Sequence, residues 1–323
     1  MKNYKNKEIK ENKETKEIKE IKEIKETNDN KENNSKVSNE YEIIKKVGSG
    51  SFGEVYLTKM LSNQQLVASK IEEKDGNRQN SKIFDEYKIY KKLQLKGFKQ
   101  GIPKIYSFYE TPKFNVLVME LLGDNLDFIF NKYEKKLELC IVLKIGYDII
   151  NLIEKIHNCG FIHRDIKPNN FMFGIGKKKH ELYILDFGLS KKFLKNNKHI
   201  EYKTNKSLVG TARYTSINIH LGIEPSRRDD LESIGYMLIY FLKGTLPWQG
   251  IKKKKNVDHL ELISEAKLST SLNKLCQNIP KQFYEYLDYT RKLTFDENPN
   301  YKYLKDLFLQ CAKENNTELK YNF

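Results

Sequence analysis

The hydrophobic period of this chain changes near residue 123, and that change limits the folds it can adopt. Upstream, YEIIKKV, EVYLTKM, QLVASKIE and NVLVMELL are short runs rich in β-branched and aromatic residues, separated by turn-forming residues. Downstream, Ile145, Ile149, Leu152, Ile153 and Ile156 share one helical face, and DLESIGYMLIYFL is apolar nearly all round, as a buried helix should be. Strands followed by helices predict an α+β chain with two lobes: a small β-rich lobe over 41–120 with one main helix, and a larger α-helical lobe over 124–312. Clefts between such lobes are where ligands usually sit, which places the expected site at the join near Glu120–Gly123. Residues 313–323 read as a short C-terminal tail.

Residues 1–40 form a Lys/Glu/Asn-rich segment centred on KETKEIKEIKEIKE. Ile18, Ile21 and Ile24 recur every three residues, so on a helix they would spiral around the axis instead of forming the seam of a coiled coil. Nothing there can build a core, and disorder is expected. This segment holds eleven lysines and ten acidic residues, so +14 of the chain's net +15 belongs to the remainder. A folded region with that field favours an anionic partner. The basic residues carry no nucleic-acid motif, so acidic or phosphorylated protein is preferred to specific nucleic acid. MKNYKNKEIK lacks the apolar core of a secretory signal, and the longest apolar run, Tyr236–Leu242, is too short to span a bilayer. Four widely spaced cysteines suit a reducing compartment. The expectation is a monomer of the cytoplasm and/or nucleus.

The chemistry lies in four stretches. GSGSFGEV, from Gly48 to Val55, fits G-x-G-x-x-G-x-V between two strands, where glycines let backbone amides approach phosphate oxygens. Seventeen residues beyond Gly53, VASK places Lys70 on the next strand, and alternation turns Ser69 to the opposite face. A lysine serving phosphates needs a counter-charge. Glu86 in KIFDEYKIYKKL fills that role, on the helix face of Ile83, Tyr90 and Leu93, whereas Asp85 lies about 100° round the helix. FIHRDIKPNNF then matches H-R-D-x-x-x-x-N, followed by LDFG. In this pattern Asp165 would orient a hydroxyl and accept its proton, Lys167 would neutralise the transferring group, and Asn170 and Asp186 would offer oxygens to Mg²⁺.

With these motifs in order, the chain resembles the protein kinase superfamily. GTARYTSINIHLGIEPSRRDDLESIGYMLIYFLKGTLPWQG is similar to the casein kinase 1 family almost residue for residue, including S-I-N at Ser216–Asn218 where other kinases carry A-P-E. MELLG, DFGLSKK and FDENPNYKYL fit the same family. The resemblance implies the bilobal protein-kinase fold, ATP with Mg²⁺, and transfer to Ser/Thr of acidic or pre-phosphorylated proteins without activation-loop phosphorylation. It implies ATP contacts from Val47, Gly48, Ser49, Gly50, Ser51, Phe52, Gly53, Glu54 and Val55, from Lys70 and Glu86, and from Met119, Glu120 and Leu122 at the hinge. Thr211 resembles the substrate-loop threonine beside Asp165, Asp230 the buried helix aspartate that braces the catalytic loop, and Arg164, Lys191 and Arg213 residues that gather around an anion. Three departures stand out: the lysine run Lys252–Lys255 is shifted toward LPWQG, Asn169 replaces an aspartate, and Asp124 stands where the family often has proline.

Overall fold

The computed structural model describes residues 36–38, 40–50, 53–74, 81–252 and 257–323. Ser51, Phe52 and Lys253–Lys255, like most of the Lys/Glu-rich segment, lie outside the described residues. The first lobe is an antiparallel sheet of β2 (Tyr41–Gly50), β3 (Gly53–Met60), β4 (Leu66–Glu73), β6 (Phe114–Glu120) and β5 (Ile105–Glu110), in that spatial order, with the short β1 (Lys36–Ser38) on the outer edge of β2. Strand alternation gives the sheet two different faces. Val67 and Ile71 of β4, Val116 and Val118 of β6, and Tyr41 close a small outer cluster. Leu117 and Met119 face inward and join the main core. Ser69 lies among the outer apolar residues, 1 % exposed, and its hydroxyl finds no partner among the described residues.

Helix α1 (Lys82–Leu95) starts where the Ser81 hydroxyl accepts from the Phe84 amide, and it buries Ile83, Glu86, Tyr90 and Leu93 along one stripe. Gly97, at φ +86°, ends it, while the Phe98 amide reaches back to the Leu93 carbonyl at 3.0 Å.

The second lobe is built on α3 (Leu139–Asn158), flanked by α5 (Arg227–Lys243) and α9 (Tyr301–Glu314). A side-chain carbon at Gly146 of α3 would lie 2.7 Å from the Phe308 ring, so α9 can approach only because that position is glycine. The remaining helices are α2 (Leu126–Lys132), α4 (Ile217–His220), α6 (His259–Ser269), α7 (Leu272–Leu275) and α8 (Lys281–Lys292). The hairpin of β7 (Phe171–Phe173) and β8 (Leu182–Ile184) lies beneath the hinge, where the Gly123 amide donates to the Phe173 carbonyl at 2.7 Å. No helix among the described residues is long and apolar enough to cross a membrane.

The C-terminal end differs from the sequence expectation. Helix α9 continues to Glu314, and the residues after it turn back onto the lobe. The Tyr321 hydroxyl donates to Asp148 at 2.6 Å, and the Tyr321 and Phe323 rings lie edge-on to Phe173 at 4.8 and 5.1 Å. Two aromatic rings with a buried place to go do not remain in water, so 313–323 is part of the lobe instead of a separate tail.

Candidate active site

The inner face of β4 carries Lys70 into the interlobe space. Its amine donates to Glu86 Oε2 at 2.6 Å and to Asp186 Oδ1 at 3.1 Å, so β4, α1 and the LDFG turn meet on one nitrogen. Burial alone would depress the amine, but the two carboxylates outweigh it and hold the lysine above its ordinary range. Burial pushes Glu86 up, beyond what Lys70 offsets, while Lys70 holds Asp186 down against its own burial. Asp85 points outward, half exposed, and pairs with Lys88 at 2.7 Å. Behind the triad, the Phe187 ring meets Tyr90 at 4.9 Å and His163 at 5.3 Å, which ties α1 to both loops.

A second network converges on Asp165, 4 % exposed. Lys167 Nζ donates to Oδ2 at 2.6 Å and the Thr211 hydroxyl to Oδ1 at 2.8 Å. Asn170 Nδ2 donates to the Asp165 carbonyl at 2.8 Å, which fixes the direction of its amide. The positive charge of Lys167 also helps to lower Asp186.

Asp230 of α5 holds this loop from below, accepting from the His163 and Arg164 amides at 2.7 and 2.8 Å. Burial would raise Asp230, but the hydrogen bond from His157 and its neighbours outweighs it and keeps it low. An ionised carboxylate only accepts, so His157 Nε2 donates at 2.9 Å. Burial holds His157 neutral, and its Nδ1 therefore accepts from the Tyr301 hydroxyl at 2.7 Å. Arg164 and Asp186 both adopt left-handed backbone, at φ +69° and +63°. Such conformations cost about 1–3 kcal/mol each and persist only where the surroundings enforce them.

The glycine hairpin pairs Gly48 with Val55, Ser49 with Glu54 and Gly50 with Gly53. A side-chain carbon at Gly53 would lie 2.3 Å from the Ile71 carbonyl, so this glycine also lets β3 cross β4. Glu54 is turned aside to Lys46 and Tyr56, and Val47 is half exposed. At the hinge Met119 and Leu122 are buried, the Glu120 amide donates to the Lys104 carbonyl at 2.8 Å, and the Glu120 carboxylate takes Lys178 at 2.8 Å. The Asp124 carbonyl accepts from the Phe173 amide at 3.0 Å.

Of the three residues expected around one anion, Lys191 and Arg164 share a carboxylate neighbour and Arg213 has aromatic ones. Lys191 reaches the buried Glu224 at 2.7 Å, Lys206 reaches its other oxygen at 3.8 Å, and Glu224 bears on the partly buried Arg164. Arg213 lies instead over the Tyr214 and Tyr240 rings, 5.7 and 5.4 Å from their centres. Its guanidinium gains the two aromatic faces. Lys206 and Glu224 escaped the sequence reading because nothing local distinguishes one loop lysine or glutamate from its neighbours. S-I-N serves as a cap: the Ser216 hydroxyl donates to Asp229 at 2.6 Å and accepts from the Ile219 amide. Burial raises Asp229 to about 6.

Among the described residues no group of three or more His, Cys, Asp or Glu side chains could hold a metal by itself. The amide nitrogen of Asn170 is spent on Asp165, which leaves its Oδ1 as one oxygen donor, and the Asp186 carboxylate is another. That sparse set suits a hard cation that keeps water and shares a substrate's phosphates. An amine locked by two carboxylates, a carboxylate held by a lysine and a threonine, and a glycine hairpin above them define a site for phosphoryl transfer. The Protein kinase domain family model matches residues 41–318, and the chain belongs to the protein kinase family. ATP is accordingly its phosphoryl donor and protein its acceptor.

Proposed function

We propose that this kinase transfers the γ-phosphoryl group of ATP to serine or threonine of acidic or pre-phosphorylated proteins, in the manner of casein kinase 1. The observation that carries the reading is the grip of Lys167 and Thr211 on the two oxygens of Asp165. An acceptor hydroxyl entering beside Thr211 would meet a carboxylate positioned to take its proton, with the Lys167 amine beside it to balance phosphoryl charge. Lys70, steadied by Glu86, would hold the ATP phosphates under the hairpin Val47–Val55, and Met119, Glu120 and Leu122 would border the adenine. When bound, Mg²⁺ supplies charge neutralisation to the phosphates, with Asn170 and Asp186 as its protein ligands.

The +14 field outside the N-terminal segment supports an acidic acceptor, and Lys191, Lys206 and Arg164 supply cations for a phosphate already on it. Glu224 already pairs with Lys191 and Lys206, which agrees with activity before activation-loop phosphorylation, and one carboxylate among three cations leaves positive charge for a phosphate on the acceptor. The expected setting is a monomer of cytoplasm or nucleus. Asp165→Asn keeps the shape and removes the base. Phosphate incorporation into an acidic serine peptide with Mg-ATP should fall about 10³-fold, and a variant retaining wild-type turnover would sink the assignment.

A further inference from the structure

Lys267 of α6 is 1 % exposed, and its amine donates to main chain: to the Ala212 carbonyl at 2.8 Å and, more closely, to the Thr215 carbonyl. The Tyr236 and Trp248 rings each lie 5.1 Å from the nitrogen. Glu232 and Arg291 bear on it from α5 and α8 with opposite sign, and burial, the largest influence, lowers it to about 7. Charged or neutral, the nitrogen has the two N–H bonds these carbonyls need. His220 Nε2 shares the Ala212 oxygen at 3.3 Å, and Trp248 Nε1 donates to the next carbonyl, Arg213, at 2.7 Å. The carbonyls of 212, 213 and 215 are thus held from one side, while Thr211 at the start of the same segment reaches Asp165.

Sinking an amine this deeply is unfavourable unless its donors are used, and here they are spent on the segment that carries Thr211 and Arg213. We infer that Lys267 is a positioning residue for the acceptor peptide: it fixes residues 211–215 so that Thr211 stays on Asp165 and the segment presents one surface to the peptide. The inference rests on the reading that this segment receives the peptide. Lys267 acts from behind that surface, with no contact to the nucleotide groups Lys70, Glu86 or Asp186 among its hydrogen bonds.

The test uses the full chain, Mg-ATP and a synthetic serine peptide with glutamates N-terminal to the serine. Lys267→Met keeps the stem and removes both donors. Peptide KM should rise about tenfold, the worth of one strong hydrogen bond, with ATP KM within twofold of wild type. Amide hydrogen exchange over 211–216 should quicken while that over 163–170 holds. His220→Ala, which removes only the second donor to Ala212, should give a smaller rise of the same kind. A peptide KM within twofold in Lys267→Met, or peptide and ATP KM rising by the same factor, would overturn the inference. If the wild-type chain leaves the peptide unphosphorylated, the functional reading falls, and the exchange measurement still decides whether Lys267 holds the segment.

Discussion

The two networks that meet in the cleft are assembled in opposite ways. The Lys70 triad joins β4, α1 and the LDFG turn, three elements from two lobes, through the contacts of one amine. The Asp165 network is built within the second lobe, where Asp230 grips the loop backbone from a fully packed helix and His157 and Tyr301 brace Asp230 in turn. The first is a junction that a shift of α1 would open. The second is preset by the core, and disturbing it disturbs the lobe. The same chemistry is therefore part adjustable and part fixed.

The sharpest way to break this contrast is at Asp230. Asp230→Ala leaves two buried amides and a histidine without their acceptor, and should cost about 3–5 kcal/mol, seen as a melting temperature lower by roughly 6 °C or more. Asp230 is held below the ordinary carboxylate range, so its contribution is present above the unfolded value near pH 4 and is lost as pH falls through the lower folded value. The wild-type chain should accordingly lose more stability on acidification below about pH 4 than Asp230→Ala does, by thermal melts across that range. At the junction the effect should be catalytic instead. Glu86→Gln weakens a charge-assisted bond worth about 1.5–3 kcal/mol, so kcat/KM for ATP should fall roughly 10- to 100-fold, with a melting shift small beside that of Asp230→Ala. Asp85→Ala, one position away and exposed, should change stability by less than about 0.5 kcal/mol and leave the ATP kinetics unaltered. If Asp85→Ala matched Glu86→Gln, the junction would be misplaced.

Sequence patterns carried the strands, the helices and the order of the motifs, because each rests on local period or spacing. The Glu86 face was legible because Ile83, Tyr90 and Leu93 share its stripe. The outward turn of Ser69 followed from alternation, but its unpartnered hydroxyl did not, since that depends on which apolar residues β6 and Tyr41 bring to it. The aromatic surroundings of Arg213 were hidden for a similar reason. Its charge suggested an anion, and only the fold sets it over Tyr214 and Tyr240. Lys267 was invisible for the plainest reason: its partners are backbone carbonyls more than fifty positions away, and a backbone carbonyl leaves no mark in a sequence.

The returning segment after α9 has a practical meaning. Phe323 rests on Phe173, and the Phe173 main chain is bonded to the hinge residues Gly123 and Asp124. A fluorophore attached by that ring would be a listening post on the hinge. Its signal should change when ATP binds if the hinge moves, and remain silent if the hinge is rigid.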